Sequence, residues 1–299
     1  MKGLRRYIVV GCTAVCLGAA VPAGAGLTCP PDSVLVGDAC IDLYEASVWQ
    51  LPPCPIGSPR GCQTLVNRVQ TGTATLDDLV TNRGRQLGVA DTCRGPSDYG
   101  ENFPATGNWK PVAGSNPPSP RVYAVSIPGV QPSACITWFQ ANQACRLSGK
   151  RLARNDEWQA AAQGTPDPGT DNGTTDCAVN SPQPVNTGSR SSCKSSWGVF
   201  DMVGNVEEMV ADWTEADAAG CTDSSSAFGF PGSDLICFQG YSEISPGQFP
   251  PFAAPGVFAR GGMIQDGPQA GVFAVDTSTF PSWSHNVTGF RCARSAHQE

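Results

Sequence analysis

Two carboxylates stand seven residues apart across a glycine in the segment Asp201-Met202-Val203-Gly204-Asn205-Val206-Glu207-Glu208. A calcium ion takes about six to eight hard oxygens, mixed from carboxylates and backbone carbonyls on a bent chain. The side chains of Asp201 and Glu208, with the carbonyls of Gly204 and Val206, could wrap one such ion. The same spacing equally suits two ordinary acids, one in a loop and one opening a helix.

The second reactive group is the thiol. The chain has 14 Cys and only 2 His. No Cys-x-x-Cys pair occurs, which argues against zinc or iron–sulfur ligation. The two imidazoles are His285, in the loop sequence Ser-Trp-Ser-His-Asn, and His297, near the end. A Ser-His-Asp hydrolase would have to use one of them, and a surface histidine is the plainer reading of His285.

These groups sit in a chain of 299 residues with net charge −7. Phosphate neutralisation needs a basic surface, so neither a nucleic acid nor an anionic membrane is expected as a partner. Charged residues are 15% and apolar residues 40%, a globular composition. Gly 34 and Pro 26 point to loops and turns over long helices.

Lys2, Arg5 and Arg6 precede a short apolar run and the Ala23-Gly24-Ala25 cleavage pattern. Residues 1–25 therefore read as an export signal peptide, and residues 26–299 as a single domain. The run is too short and glycine-rich for a membrane span, so no integral membrane segment is expected. Residues 9–12 only faintly match a lipoprotein box, since the run continues past Cys12. The expected location is secreted, periplasmic or cell-surface. Cleavage removes Cys12 and Cys16, and the even remainder reads as a disulfide framework.

Short elements must carry the reactive groups. Residues 33–36 and 40–44 have a strand look, and residues 51–58 a turn-rich break. Residues 71–89 hold a helical stripe of Leu76, Leu79 and Val80, and residues 94–121 read as a long surface loop. Thr137-Trp138-Phe139-Gln140 fits a capping box opening a helix with Trp138, Ala141, Ala144 and Cys145 on one face and Gly149 as its stop. Asn155-Asp156-Glu157-Trp158 opens another, running to Gly164, with the cap placed on Asn155. Residues 257–262 and 287–294 read as short strands. Helices early and strands late suggest α+β.

Four segments in order resemble the sulfatase-modifying-factor family of formylglycine-generating enzymes. They are residues 136–152 with Glu157-Trp158, residues 197–213, Arg260-Gly261-Gly262, and Gly289-Phe290-Arg291-Cys292-Ala293. Residues 29–47 resemble the family's opening segment. The resemblance implies a loop-rich α+β, C-type-lectin-like fold with few short helices and short antiparallel strands. It also implies a calcium set of Asp201, Gly204, Val206 and Glu208. Of the family's second calcium site, Asn186 and Gly188 match, while Ala178 replaces an Asn ligand.

The family's oxidases use two Cys in a Cys-x4-Cys arrangement shortly after Arg-Gly-Gly-Ser, thought to bind Cu(I). Those places hold Asp266 and Gly271, and no Cys lies between Cys237 and Cys292. Copper is therefore not expected. A related branch holds iron with three His, more than this chain owns. The family groove falls on residues 263–288, with Gln265, Asp266, Phe273, Asp276, Phe280, Trp283, His285 and Asn286 as a recognition surface for a peptide, protein or glycan.

The family bridge carries over as Cys145–Cys292. Proximity suggests Cys29–Cys40, Cys54–Cys62, Cys177–Cys193 and Cys221–Cys237, leaving Cys93–Cys135, although spacing alone does not fix connectivity. Arg260 and Arg291 are expected to be structural donors. The reading favours a secreted, calcium-stabilised, non-catalytic binding or scaffold domain over a formylglycine-type oxidase or other oxidoreductase.

Overall fold

The computed structural model describes residues 26–54, 59–89, 109–115, 118–167, 171–214, 256–277 and 281–298. The expected signal peptide, Phe280, Cys93, Cys221 and Cys237 lie outside them. The described residues open with β1 (Leu27–Thr28), β2 (Ser33–Val36), β3 (Ala39–Asp42) and β4 (Ser47–Gln50). Then come α1 (Pro59–Gln70), α2 (Leu76–Thr81), β5 (Arg85–Leu87) and β6 (Val122–Val125). α3 (Trp138–Leu147), β7 (Arg151–Leu152), α4 (Asn155–Ala161) and β8 (Glu207–Trp213) form the middle. β9 (Val257–Gly261), β10 (Gly271–Asp276), β11 (Thr288–Phe290), β12 (Cys292–Ser295) and β13 (His297–Gln298) complete it.

Few helices and many short strands make this an α+β fold. The sheets run β10-β9-β8-β11, β2-β3-β12-β7 and β5-β4-β6, and β1 pairs with β13. Strand pairs are antiparallel except β8 with β11, where Thr288, Gly289 and Phe290 align with Glu207, Glu208 and Met209. This parallel pair brings the 201–208 segment beside the Gly289–Ala293 segment.

The local chemistry explains the helices. Thr137 caps α3: its hydroxyl accepts from the Gln140 N–H, and the Gln140 carboxamide accepts from the Thr137 N–H. Ala141, Ala144 and Cys145 are fully buried. Gly149 then takes φ 70°, a left-handed turn that glycine makes without cost from a Cβ. α4 departs from expectation at its start. Its cap is Arg154, not Asn155, because the Glu157 carboxylate accepts the Arg154 N–H and Asp212 reaches across from β8 to accept the Asn155 N–H at 2.6 Å. The helical stripe in α2 buries only Leu79, while Leu76 and Val80 are exposed. α1 covers residues 59–70, to which the sequence reading assigned no element.

One core cluster joins Cys145, Leu152, Met209, Val257, Phe290 and Cys292, and a second surrounds Trp158, Val199, Met202 and Val210. Four described disulfides match expectation: Cys29–Cys40, Cys54–Cys62, Cys145–Cys292 and Cys177–Cys193. Cys135 is also disulfide-bonded. No described helix is long and apolar enough to cross a membrane.

Candidate functional site

The 201–208 segment reaches a buried polar hub. Asp201 and Asn205 sit at φ 59° and 60°, a left-handed region that short polar side chains tolerate. Gly204 has φ 75°, and a Cβ there would lie 2.4 Å from the Ala178 carbonyl oxygen. Only glycine fits, and the tight turn it permits aims Asp201 and Glu208 inward. Both are nearly fully buried.

Glu208 meets Arg291, which the parallel β8–β11 pairing delivers from two residues beyond Gly289. Arg291 Nη2 donates to Glu208 Oε1 at 2.6 Å, and Nε donates to Oε2 at 3.0 Å. Trp158 Nε1 donates to the same Oε2 at 2.7 Å. Arg291 also donates to the carbonyls of Asp42 and Phe200, the structural role expected of it. Arg260 behaves likewise, donating to the Val272 and Ala274 carbonyls while its guanidinium lies 4.8 Å from the Trp158 ring.

A third acid completes the hub. Glu45 is fully buried; it accepts from Asn205 Nδ2 and from the Val206 N–H. Burial first, and the charges of Asp201 and Glu208 next, hold its carboxyl well above the ordinary range. Asp201 accepts the Gly188 N–H at 2.6 Å, and burial pushes it up to about 7. Its other cationic neighbour, Arg190, pairs with Asp171. Three buried acids thus share one committed guanidinium, an excess of acidic groups whose ionisation burial penalises.

That excess bears on the cation the sequence implies. A carboxylate has about four lone-pair sites. The bonds to Arg291 and Trp158 take three on Glu208, which leaves room for one further partner on Oε1. Among the described residues no backbone N–H outside the regular strands donates to the Gly204 or Val206 carbonyls. No three acid, thiol or imidazole groups of the described residues converge on one point, so an ion here would rest on two carboxylates and two carbonyls. Two carboxylates and two carbonyls are hard oxygen donors of the kind calcium accepts.

The groove residues are spread over the β10-β9-β8-β11 sheet. Phe273 is 78% exposed on edge strand β10, while Trp283, 39% exposed, and His285 precede β11 at the opposite edge. Three strand spacings separate those edges, about 14 Å. Asp276, half-buried, ends β10 in register with Ala259, which pairs with Met209 on β8. Gln265 is exposed, and Asn286 half-buried. Asp266 Oδ2 accepts the Met263 N–H at 2.9 Å, closing a turn. A Cβ at Gly271 would meet the Asp167 carboxylate at 2.8 Å.

Sequence reasoning missed two members. Glu207, buried on β8, accepts from the Thr288 hydroxyl; burial first, then the Asp276 charge, pushes it up to about 8. Its signal was present, since Glu207 is the immediate neighbour of Glu208 in the 201–208 segment. Glu45 had a weaker signal, a lone acid between Tyr44 and Ala46 at the edge of an apolar strand.

The family model for the sulfatase-modifying factor enzyme 1-like domain matches residues 65–296. The chain belongs to this family. Its loop-rich α+β architecture of few helices and short, mostly antiparallel strands agrees with that expected of a sulfatase-modifying-factor member. Solved structures similar to it include the Major Tropism Determinant I1 variant, at 18% identity and TM-score 0.47. The alignment covers 92% of this chain and 55% of that one, so the chain spans about half the length of that relative. CarF is 14% identical with TM-score 0.38, covering 90% of this chain and 95% of its own. PvdO from Pseudomonas aeruginosa is 16% identical with TM-score 0.33, covering 90% and 100%. No curated protein matches the chain.

Proposed function

We propose that this sulfatase-modifying-factor domain is an exported, calcium-stabilised recognition or scaffold domain without formylglycine-generating activity. The observation that carries this reading is the chemistry at the two thiol places. Asp266 closes a turn with its carboxylate, and Gly271 packs its Cα side against Asp167. A hard carboxylate and a glycine are a poor pair for Cu(I), a soft ion that thiolates hold. In this reading the sheet that carries Gln265, Asp266, Phe273, Asp276, Trp283 and His285 serves a peptide, protein or glycan partner. Exposed aromatics at both of its edges, Phe273 and Trp283, suit contact with an extended partner.

Calcium supports the hub in this reading. Asp201, Gly204, Val206 and Glu208 would hold the ion, which would offset the buried charge of Glu45, Asp201 and Glu208. The four described disulfides and the absence of a membrane-crossing helix among the described residues are consistent with export.

Competition for Cu(I) against a chromophoric chelator tests the reading. The protein starting at Gly26 should leave the chelator loaded. Stoichiometric transfer of one copper to the protein would overturn it.

A further inference from the structure

A cavity of about 500 Å³ lies away from both the hub and the groove, between α2 and the start of β6. Leu51, Pro52, Pro53 and Leu65 give it an apolar lining, and Thr81, Asn82, Arg83 and Arg121 a polar one. Leu51 and Leu65 are buried, so the apolar part belongs to the core beneath.

Both arginines occupy backbone positions that disfavour them. The chain has five described non-glycine residues with positive φ; two are Arg83 at 59° and Arg121 at 49°. Arg83 follows α2 at the left-handed position of a closing motif, where its N–H bonds the Val80 carbonyl and the Gly84 N–H bonds the Leu79 carbonyl. Glycine is the usual occupant of that position. A bulky cation held there in its place points to a use for the side chain, and strained residues of this kind gather at ligand sites.

Arg121 is 9% exposed. Its Nε donates to the Pro52 carbonyl at 2.7 Å, and its Nη2 faces Cys62 Sγ at 2.8 Å, a weak acceptor in a disulfide. Among the described residues neither Arg121 nor Arg83 forms an ion pair. Two guanidiniums around one cavity, with no acid paired to them among the described residues, stand out in a protein of net charge −7. A guanidinium binds a planar carboxylate through paired, charge-assisted hydrogen bonds.

We propose that this cavity is a binding site for an organic carboxylate carried on a small apolar body, with Arg121 and Arg83 holding the carboxylate and the accessible Pro52 and Pro53 the body. Asn82 adds a polar edge; its Nδ2 donates to the Asp78 carbonyl. The site does not depend on the reading of the hub or the groove.

The test uses the protein from Gly26 and N-acetyl-phenylalanine, followed by ligand-observed NMR titration. Saturable binding is expected with Kd near 1 mM or tighter. N-acetyl-phenylalaninamide, which keeps the body and lacks the charge, should bind at least tenfold more weakly. Arg83→Gln, at an exposed position, should weaken the acid severalfold without weakening the amide, and Arg121→Gln more strongly still. Weaker binding of 3-phenylpropionate would assign the site to the C-terminal carboxylate of a peptide, and equal binding to a free small acid; both keep the proposal. No saturation by the acid, equal binding of acid and amide, or wild-type affinity in Arg83→Gln would each overturn it. Where the Arg121 variant fails to fold, Arg83→Gln and the amide decide the outcome.

Discussion

The Glu208 carboxylate and the Arg291 guanidinium form a two-point ion pair buried from solvent, at 2.6 and 3.0 Å, with Trp158 closing one side. Removing one partner leaves the other charge buried and alone, a loss of about 3–5 kcal/mol. Arg291→Gln should therefore lower the melting temperature sharply in calcium and in EDTA alike. Arg291→Lys should not rescue it, because an ammonium cannot reproduce the paired geometry. Differential scanning calorimetry of the variants checks both expectations.

In the proposed reading calcium would bind the same hub, with Asp201 and Glu208 as its carboxylate ligands. An ion that binds only the folded state at a hundredfold excess over its Kd stabilises it by about 2.7 kcal/mol. The wild-type protein should melt at lower temperature in EDTA than in millimolar calcium. Asp201→Ala and Glu208→Ala should each abolish that difference. Asp212→Ala should keep it and lose only the cap on α4, about 1 kcal/mol. Identical melting curves in the two buffers would return Asp201 and Glu208 to plain structural acids.

Asp42 gives the fold a pH dependence outside the hub. It is fully buried, bonded to Lys150 at 2.6 Å and near Asp32 and Arg294. Burial outweighs the Lys150 charge and raises its carboxyl to about 6. The folded state therefore binds the Asp42 proton more tightly than the unfolded state, whose carboxyl titrates near 3.9. Its contribution is complete below about pH 4 and is lost as pH rises to about 6. Asp42→Asn should flatten the stability curve across that window, measured by denaturant melts at stepped pH.

Restoring the thiols should not restore an oxidase site by itself. A Cβ at Gly271 meets the Asp167 carboxylate, and Asp167 Oδ2 already accepts the Val272 N–H. Gly271→Cys should cost about 1 kcal/mol, because the exposed Asp167 side chain must swing aside and give up its bond to the Val272 N–H. Adding Asp167→Ala should add little to that loss, since the bond is already given up. Chemical denaturation of the single and double variants resolves the two effects.

The Cys145–Cys292 bridge spans a sequence separation of 147 residues, and Cys54–Cys62 only 8. Loop-entropy arguments assign about 5 kcal/mol to the first and about 2.5 kcal/mol to the second. Replacing Cys145 and Cys292 together by Ala should thus destabilise far more than replacing Cys54 and Cys62. Peptide mapping without reductant should recover the linked 145–292 fragment.

How much of this was legible depended on the range of the interaction. The α3 cap is written within four residues, so Thr137 and Gln140 announce it. The Cys145–Cys292 bridge was legible only through resemblance, because nothing local joins residues so far apart. The α4 cap was misplaced because its partner, Asp212, arrives from β8, more than fifty residues on. Glu45 escaped for the same reason: its partners, Asn205 and Val206, lie some 160 residues away. Arg83 and Arg121 were invisible as a pair until α2 and β6 were placed beside one cavity. The groove residues are neighbours in sequence yet fall on opposite edges of one sheet, a separation that linear order does not encode.

The most direct measurement is turnover. The protein from Gly26 is incubated under oxygen with Cu(I) and a cysteine-containing sulfatase peptide, and the peptide is followed by mass spectrometry. With Asp266 and Gly271 at the thiol places, the cysteine should remain unconverted beyond the enzyme-free rate. Multiple turnovers of cysteine to formylglycine would contradict the assignment of this domain to recognition or scaffolding.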